Sequence, residues 1–176
     1  MRTRGFVITG ILLVLAGLAG CGGQSRQKVV ATYPMDDLNG LVQSDGELSI
    51  DPEESVDGRG SLHIDAAEKR VVRLYEIDNP DVENCRLVWT AYLKCIGIFG
   101  GAFLEMWLRF PGEGEYFGRG LDTQVQRVTD WTESETHFDI PKGKRPDRIR
   151  LNLVVGSGGH VWVDSMRVVA YPLPKS

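Results

Sequence analysis

Cys85-Arg86-Leu87-Val88-Trp89-Thr90-Ala91-Tyr92-Leu93-Lys94-Cys95, then Gly97, Gly100 and Gly101, then Ala102-Phe103-Leu104-Glu105-Met106-Trp107-Leu108-Arg109-Phe110, is the stretch that decides the fold. Side chains alternate with period two through both halves, the pattern of a half-buried strand and not of a helix. Leu87, Trp89, Ala91 and Leu93 share one face of the first half, and Arg86, Thr90, Tyr92 and Lys94 share the other. In the second half Leu104, Met106, Leu108 and Phe110 oppose Phe103, Glu105, Trp107 and Arg109. The glycines between the halves predict two strands joined by a turn.

Upstream, the same alternation predicts strands over 29–33, 60–65 and 71–76, the first ended by Pro34 and the last by Asn79-Pro80-Asp81. Downstream, residues 111–116 read as a loop, 123–128 and 135–140 as weaker strands, and 141–146 as a second loop. Residues 148–155 repeat the half-buried signature, and Gly156-Ser157-Gly158-Gly159 turns into a last strand over 160–171. No helix of ordinary length follows the first twenty residues. Short strands with regular turns predict an all-β, antiparallel sandwich or barrel. Cys85 and Cys95 are then ten residues apart on one strand, about 33 Å against the ~7 Å limit for a bridged pair, so both are expected as buried free thiols.

The chain opens with Arg2 and Arg4, an apolar run from Phe6, and Leu18-Ala19-Gly20-Cys21. The run is short of the ~20 residues a membrane span needs, and small residues close it as at a processing site. This opening resembles the lipobox signal of bacterial lipoproteins. The resemblance implies cleavage before Cys21, diacylglycerol on its thiol and further acylation of the new amino terminus, palmitate being one such acyl group. Two or three acyl chains hold a protein nearly permanently, since each buried methylene contributes about 0.8 kcal/mol. The expected organisation is a signal peptide over 1–20, a lipidated cysteine with a flexible tether over 21–27, and one β-sandwich domain over 28–176. The expected location is the extracytoplasmic side of the bacterial cell envelope, and Gly22 in place of Asp favours the outer membrane by the sorting rule of enterobacterial lipoproteins.

Removing residues 1–20 removes Arg2 and Arg4 and no acid, which takes the formal charge from −4 to −6. An acidic body excludes nucleic acid as the expected partner, because phosphate binding is driven by counterion release to Lys and Arg. About 155 residues suffice for one core without metals or disulfides.

Three pieces of the body, Asp57-Gly58-Arg59-Gly60-Ser61-Leu62-His63-Ile64, Asp130-Trp131-Thr132 with Phe138-Asp139-Ile140-Pro141, and Gly159-His160-Val161-Trp162-Val163-Asp164-Ser165-Met166, carry a second resemblance. In order and spacing they are similar to the galactose-binding-like jelly rolls and related carbohydrate-binding modules of bacterial surface proteins. The chain departs from them where such modules often carry a Trp after the first strand, having Leu41 and Val42 there. The resemblance implies a jelly-roll β-sandwich and non-catalytic binding of a glycan or other envelope ligand. It also implies a possible structural calcium, for which Asp57, Asp164 and one of Asp36 or Asp37, with carbonyls near Gly60, are the candidate ligands.

The candidate binding face comes from the alternation itself: Tyr92, Lys94, Glu105, Trp107, Arg109, Arg150 and Asn152 place aromatic rings among charged and amide groups. The alternative use of that face is docking of a partner protein by a structural or accessory envelope subunit. Catalysis has little support. His63, His137 and His160 fall on separate strands, the glycine run 156–159 precedes a strand and cradles no phosphate, and the acidic pairs Glu113 with Glu115 and Glu133 with Glu135 are solvated. Lys142, Lys144, Arg145 and Arg148 form a basic turn that is expected to be exposed.

The anchor reading predicts that Cys21→Ser releases the protein from membranes or leaves its precursor uncut. Unchanged sedimentation and unchanged mobility of the variant in cell fractionation would remove it.

Overall fold

The structure, a computed structural model, describes residues 27–43 and 48–174; the signal, Cys21 and tether assignments lie outside the described residues. The strands are β1 (Lys28–Tyr33), β2 (Leu48–Asp51), β3 (Ser61–Ala66), β4 (Arg70–Asp78), β5 (Cys85–Phe110), β6 (Gly114–Arg119), β7 (Val125–Ile140), β8 (Arg148–Ser157) and β9 (Gly159–Pro172). One 3-10 turn, Leu121–Thr123, precedes β7, and there is no α-helix among the described residues. The chain is an all-β, antiparallel jelly-roll β-sandwich.

The two halves expected as separate strands are one strand of 26 residues. The first half of β5 pairs with β7 on one side and β9 on the other, and its second half pairs with β6 and β8. Two leaves result. The first runs β2-β3-β9-β5-β7, with β1 also on β9, and the second runs β4-β8-β5-β6. Leu87, Trp89, Ala91 and Leu93 from one half and Leu104, Met106 and Leu108 from the other enter a single core, all of them 1% exposed or less. Burying a side chain of this size contributes about 1.5–3 kcal/mol, so the inward set is the main stabilising term.

The bend between the leaves is a corner of facing glycines. Gly97, Gly100 and Gly101 take φ of 79°, 80° and 74°, which lets β5 turn without leaving the sheet. Across the ladder β8 and β9 make the same turn, interrupted only at Gly158. A Cβ on Gly156 would run into the Phe99 carbonyl oxygen, and one on Gly159 into that of Ile96. Only glycine permits the two bent backbones to lie this close.

The sides of the sandwich are closed by aromatic contacts. Tyr33 of β1 stacks on Tyr75 of β4 with ring centres 3.7 Å apart, and burial pushes the Tyr75 hydroxyl up to about 12. On the other side Phe110, Tyr116 and Phe138 meet at 5.8 to 6.5 Å. Cys85 and Cys95 are free and buried, and burial raises both thiols.

Besides β5, three elements differ from expectation. β6 begins within the residues 111–116 read as loop, β2 lies in a segment without clear alternation, and β7 is one strand of 16 residues where two were expected. β6 has five of its six residues exposed and β7 carries a left-handed Arg127, so neither shows a clean period of two.

The corner predicts that Gly156→Ala, which meets main chain and has no left-handed φ to lose, destabilises the fold by about 2–4 kcal/mol. Gly143→Ala, with open space around its Cβ but a φ of 83°, should cost only about 1 kcal/mol. Equal melting temperatures for the two variants would show that the corner is not tightly packed.

Candidate functional site

The outer face of the second leaf is ordered by register into rows that cross four strands. Arg73 lies opposite Asn152, Asn152 opposite Glu105, and Glu105 opposite Arg119. The next row is Glu76, Arg150, Trp107 and Phe117, and the third is Asp78, Arg148, Arg109 and Glu115. Beside the first row Val71, Val154 and Phe103 make an apolar border.

Glu105 is the centre of this grid, 5% exposed. The Trp107 indole Nε1–H donates to its Oε1 at 2.7 Å, Arg119 Nε–H to its Oε2 at 2.7 Å, and Asn152 Nδ2–H to its Oε1 at 3.5 Å. Burial pushes this carboxyl up, but those hydrogen bonds and the Arg119 charge more than offset it and hold it below the usual carboxylate range. Glu105 is therefore ionised at neutral pH and keeps three neighbouring side chains in place. The Trp107 ring is flanked by the Arg150 guanidinium at 5.5 Å and the Phe117 ring at 4.9 Å, while Arg150 Nη2–H donates to Glu115 at 2.6 Å. The arrangement has the parts of a binding site: a ring held at a fixed angle among aimed donors and acceptors.

Between β4 and the second half of β5 lies a groove of about 340 Å³ lined by Gln43, Val71, Arg73, Glu105, Trp107, Arg150 and Asn152. Asn152 is 6% exposed, and its Oδ1 is buried without a hydrogen-bond partner. An unpartnered buried acceptor is costly, and one beside a groove is a place for a ligand donor.

Of the residues expected on one face, Glu105, Trp107, Arg150 and Asn152 come together here. Arg109 stands in the third row, its guanidinium donating to Asp147 at 2.8 and 2.9 Å at the rim. Tyr92 and Lys94 do not join them. They precede the corner, so they sit on the outer face of the first leaf, although each half of β5 alternates in the same polar-and-apolar way. Lys94 Nζ pairs there with Glu54 at 2.7 Å and lies 5.8 Å from the Trp162 ring centre. That face is partly covered by the loop 52–60, whose Glu54 takes Lys94 and whose Val56 amide donates to Asp164 at 2.6 Å, while Trp162 Nε1–H donates to Asp51 at the end of β2 at 2.8 Å. Arg73, Gln43, Phe117 and Arg119 are additions from the structure. Their signal was faint, because β4 pairs with a strand far away in sequence and β6 reads as loop.

The carboxylates read as calcium ligands do not fit a cation site. Asp57 accepts from Arg59 Nη2–H at 2.6 Å, Asp36 is 3.9 Å from Arg59 Nε, and Asp164, fully buried, accepts from Val56 and Ser165. Arg59, two residues after Asp57 and next to Gly60, supplies the positive charge. Among the described residues no group of three or more His, Cys, Asp or Glu side chains is placed to hold a metal ion. The structure does bring two histidines of separate strands together, His63 Nε2 and His160 Nδ1 lying 3.1 Å apart on the first leaf.

No protein-family model matches the sequence, and no curated protein matches it. Among solved structures the chain is similar in fold to the CBM22-1 xylan-binding domain of Paenibacillus barcinonensis Xyn10C, with a TM-score of 0.58, 12% identity, and coverage of 84% of this chain and 97% of that one. It is similar to the CBM22-2 xylan-binding domain of the same protein, with a TM-score of 0.51, 10% identity, and coverage of 80% and 99%. It also resembles the CBM22-1 and GH10 modules of Clostridium thermocellum endo-1,4-beta-D-xylanase 10B complexed with xylohexaose, with a TM-score of 0.56, 15% identity, and coverage of 81% of this chain and 28% of that one. These likenesses establish the fold, an antiparallel jelly-roll β-sandwich.

Proposed function

We propose that this chain is a lipid-anchored glycan-binding protein of the bacterial cell envelope, without catalytic activity of its own. The observation that carries the reading is the groove on the second leaf. There Trp107 is held by Glu105 and Arg150 beside the Asn152 Oδ1, which is buried without a hydrogen-bond partner. A sugar presents an apolar ring face and a rim of hydroxyls, and this surface offers one aromatic plate with donors and acceptors around it. The fold adds support, since solved structures of the same architecture are named as xylan-binding domains.

Docking of an envelope protein through the same face is the weaker reading. Protein interfaces have apolar cores depleted in charge, whereas this face carries four rows of which three hold guanidinium or carboxylate groups. The anchor reading rests on the Leu18-Ala19-Gly20-Cys21 opening, and Gly22 supports the outer membrane as the site of retention.

The reading predicts retention of the detergent-solubilised full chain by at least one immobilised polysaccharide in a panel of xylans, glucans, galactans and pectins. Trp107→Ala should weaken that binding about tenfold or more, the loss of one aromatic contact with the order it imposes. A folded chain that binds nothing in the panel, or a Trp107→Ala variant that binds unchanged, would overturn the assignment.

A further inference from the structure

We infer that the groove on the second leaf takes an acidic sugar, one carrying a carboxylate next to a hydroxyl, in preference to a neutral one; this rests on the glycan-binding reading above. The inference comes from which charges on the face are matched. Glu105 is matched by Arg119, Glu115 by Arg150, Asp78 and Glu76 by Arg148, and Asp147 by Arg109, all at 2.6 to 3.5 Å. Arg73 is left. It is exposed on β4, lines the groove, and has no acidic partner among the described residues.

Arg73 lies directly opposite Asn152 in the β4–β8 ladder, so the unmatched guanidinium and the partnerless Oδ1 are neighbours about 5 Å apart at their Cβ atoms. One ligand unit that satisfies both presents an anion to the first and an O–H donor to the second. A uronic acid carries both groups on one ring. Arginine is suited to the task because its planar fork pairs with a carboxylate through two parallel hydrogen bonds. Trp107 stands in the neighbouring row, where the ring face of the same sugar or the next would pack. General attraction to polyanions cannot give this preference, because the chain carries a formal net charge of −4.

The test is retention of the detergent-solubilised full chain on polygalacturonate and on the same polymer after carboxyl reduction, at physiological ionic strength, for the wild type and Arg73→Gln. Arg73 is an exposed strand residue, so the variant should fold. The wild type should bind the acidic polymer about tenfold more tightly than its reduced form, and Arg73→Gln should bind both equally at the level of the reduced one. Equal binding of the two polymers by the wild type, or a preference that survives in Arg73→Gln, overturns the inference and leaves glycan binding intact. So does equally tight binding of polyglutamate, which has the charge without the sugar. Failure of the wild type to bind either polymer, or any other in the panel, would remove the glycan reading and this inference with it.

Discussion

The corner of β5 is the constraint on which the rest of the architecture depends. A strand of 26 residues would span far more than one leaf, and an unbent one could not bury both its halves in one core. Left-handed glycines at 97, 100 and 101 bend it, and Gly156 and Gly159 let the facing backbone follow closely. Hydrogen bonding resumes on both sides of the bend, so the two leaves are covalent and hydrogen-bonded continuations of one another. No layer of this sandwich has to find the other by collapse alone. The aromatic contacts of Tyr33 with Tyr75, and of Phe110 with Tyr116 and Phe138, close the sides that the corner leaves open.

The same corner explains what the sequence reveals and what it hides. Alternation is a local signal, and it marks β3, β4, β8, β9 and both halves of β5 because each has one face in the core. It cannot say that Gly97 to Gly101 is a bend within a ladder and not a turn that ends one. The polar sides of two strands joined by a turn can share a sheet face; across this bend the inward set changes from odd to even positions, and the two polar sides belong to different leaves. Tyr92 and Lys94 are therefore separated from Trp107 by the thickness of the molecule, although the alternation groups them. Glu105, Trp107, Arg150 and Asn152 are found by the same reasoning because they lie on one side of the bend, on strands joined by a long-range but regular register. Arg73 is hidden for a different reason: Leu74 makes a bulge, so β4 changes its facing pattern in mid-strand. The partners of the aspartates at 36, 57 and 164 are hidden as well: Arg59 lies against the first two, and the Val56 amide and Ser165 hydroxyl donate to the third.

The two outer faces show how polar groups are satisfied in a covered and in an open site. On the outer face of the first leaf three donors find local partners. The Trp162 indole finds Asp51, Lys94 finds Glu54, and Asp164 receives the Val56 amide from the overlying loop. On the second leaf one carboxylate does comparable work from beneath. Glu105 takes the indole, a guanidinium and an amide N–H at once, which makes it the acceptor for donors from three adjacent strands. Its lowered pKa means that this support is present at neutral pH and is lost only as pH falls through that lowered value.

The satisfaction of Glu105 has a cost that falls on Asn152. The amide group uses Nδ2 to reach the carboxylate, and its orientation then leaves Oδ1 buried with nothing to accept from. In a folded core such an atom would be a liability of about 1–3 kcal/mol. At the wall of a groove it is a preformed acceptor, already desolvated and already oriented by a bond that the ligand does not have to make. Trp107 is fixed in the same way, by a bond to Glu105 and contacts with Arg150 and Phe117. A ligand meeting this face has few rotamers to freeze, and the ordering cost that usually consumes much of the interaction energy is small. The face is thus prepared for a rigid, polar ring of modest size, and Arg73, which has no acidic partner among the described residues, stands where such a ring would carry its own charge.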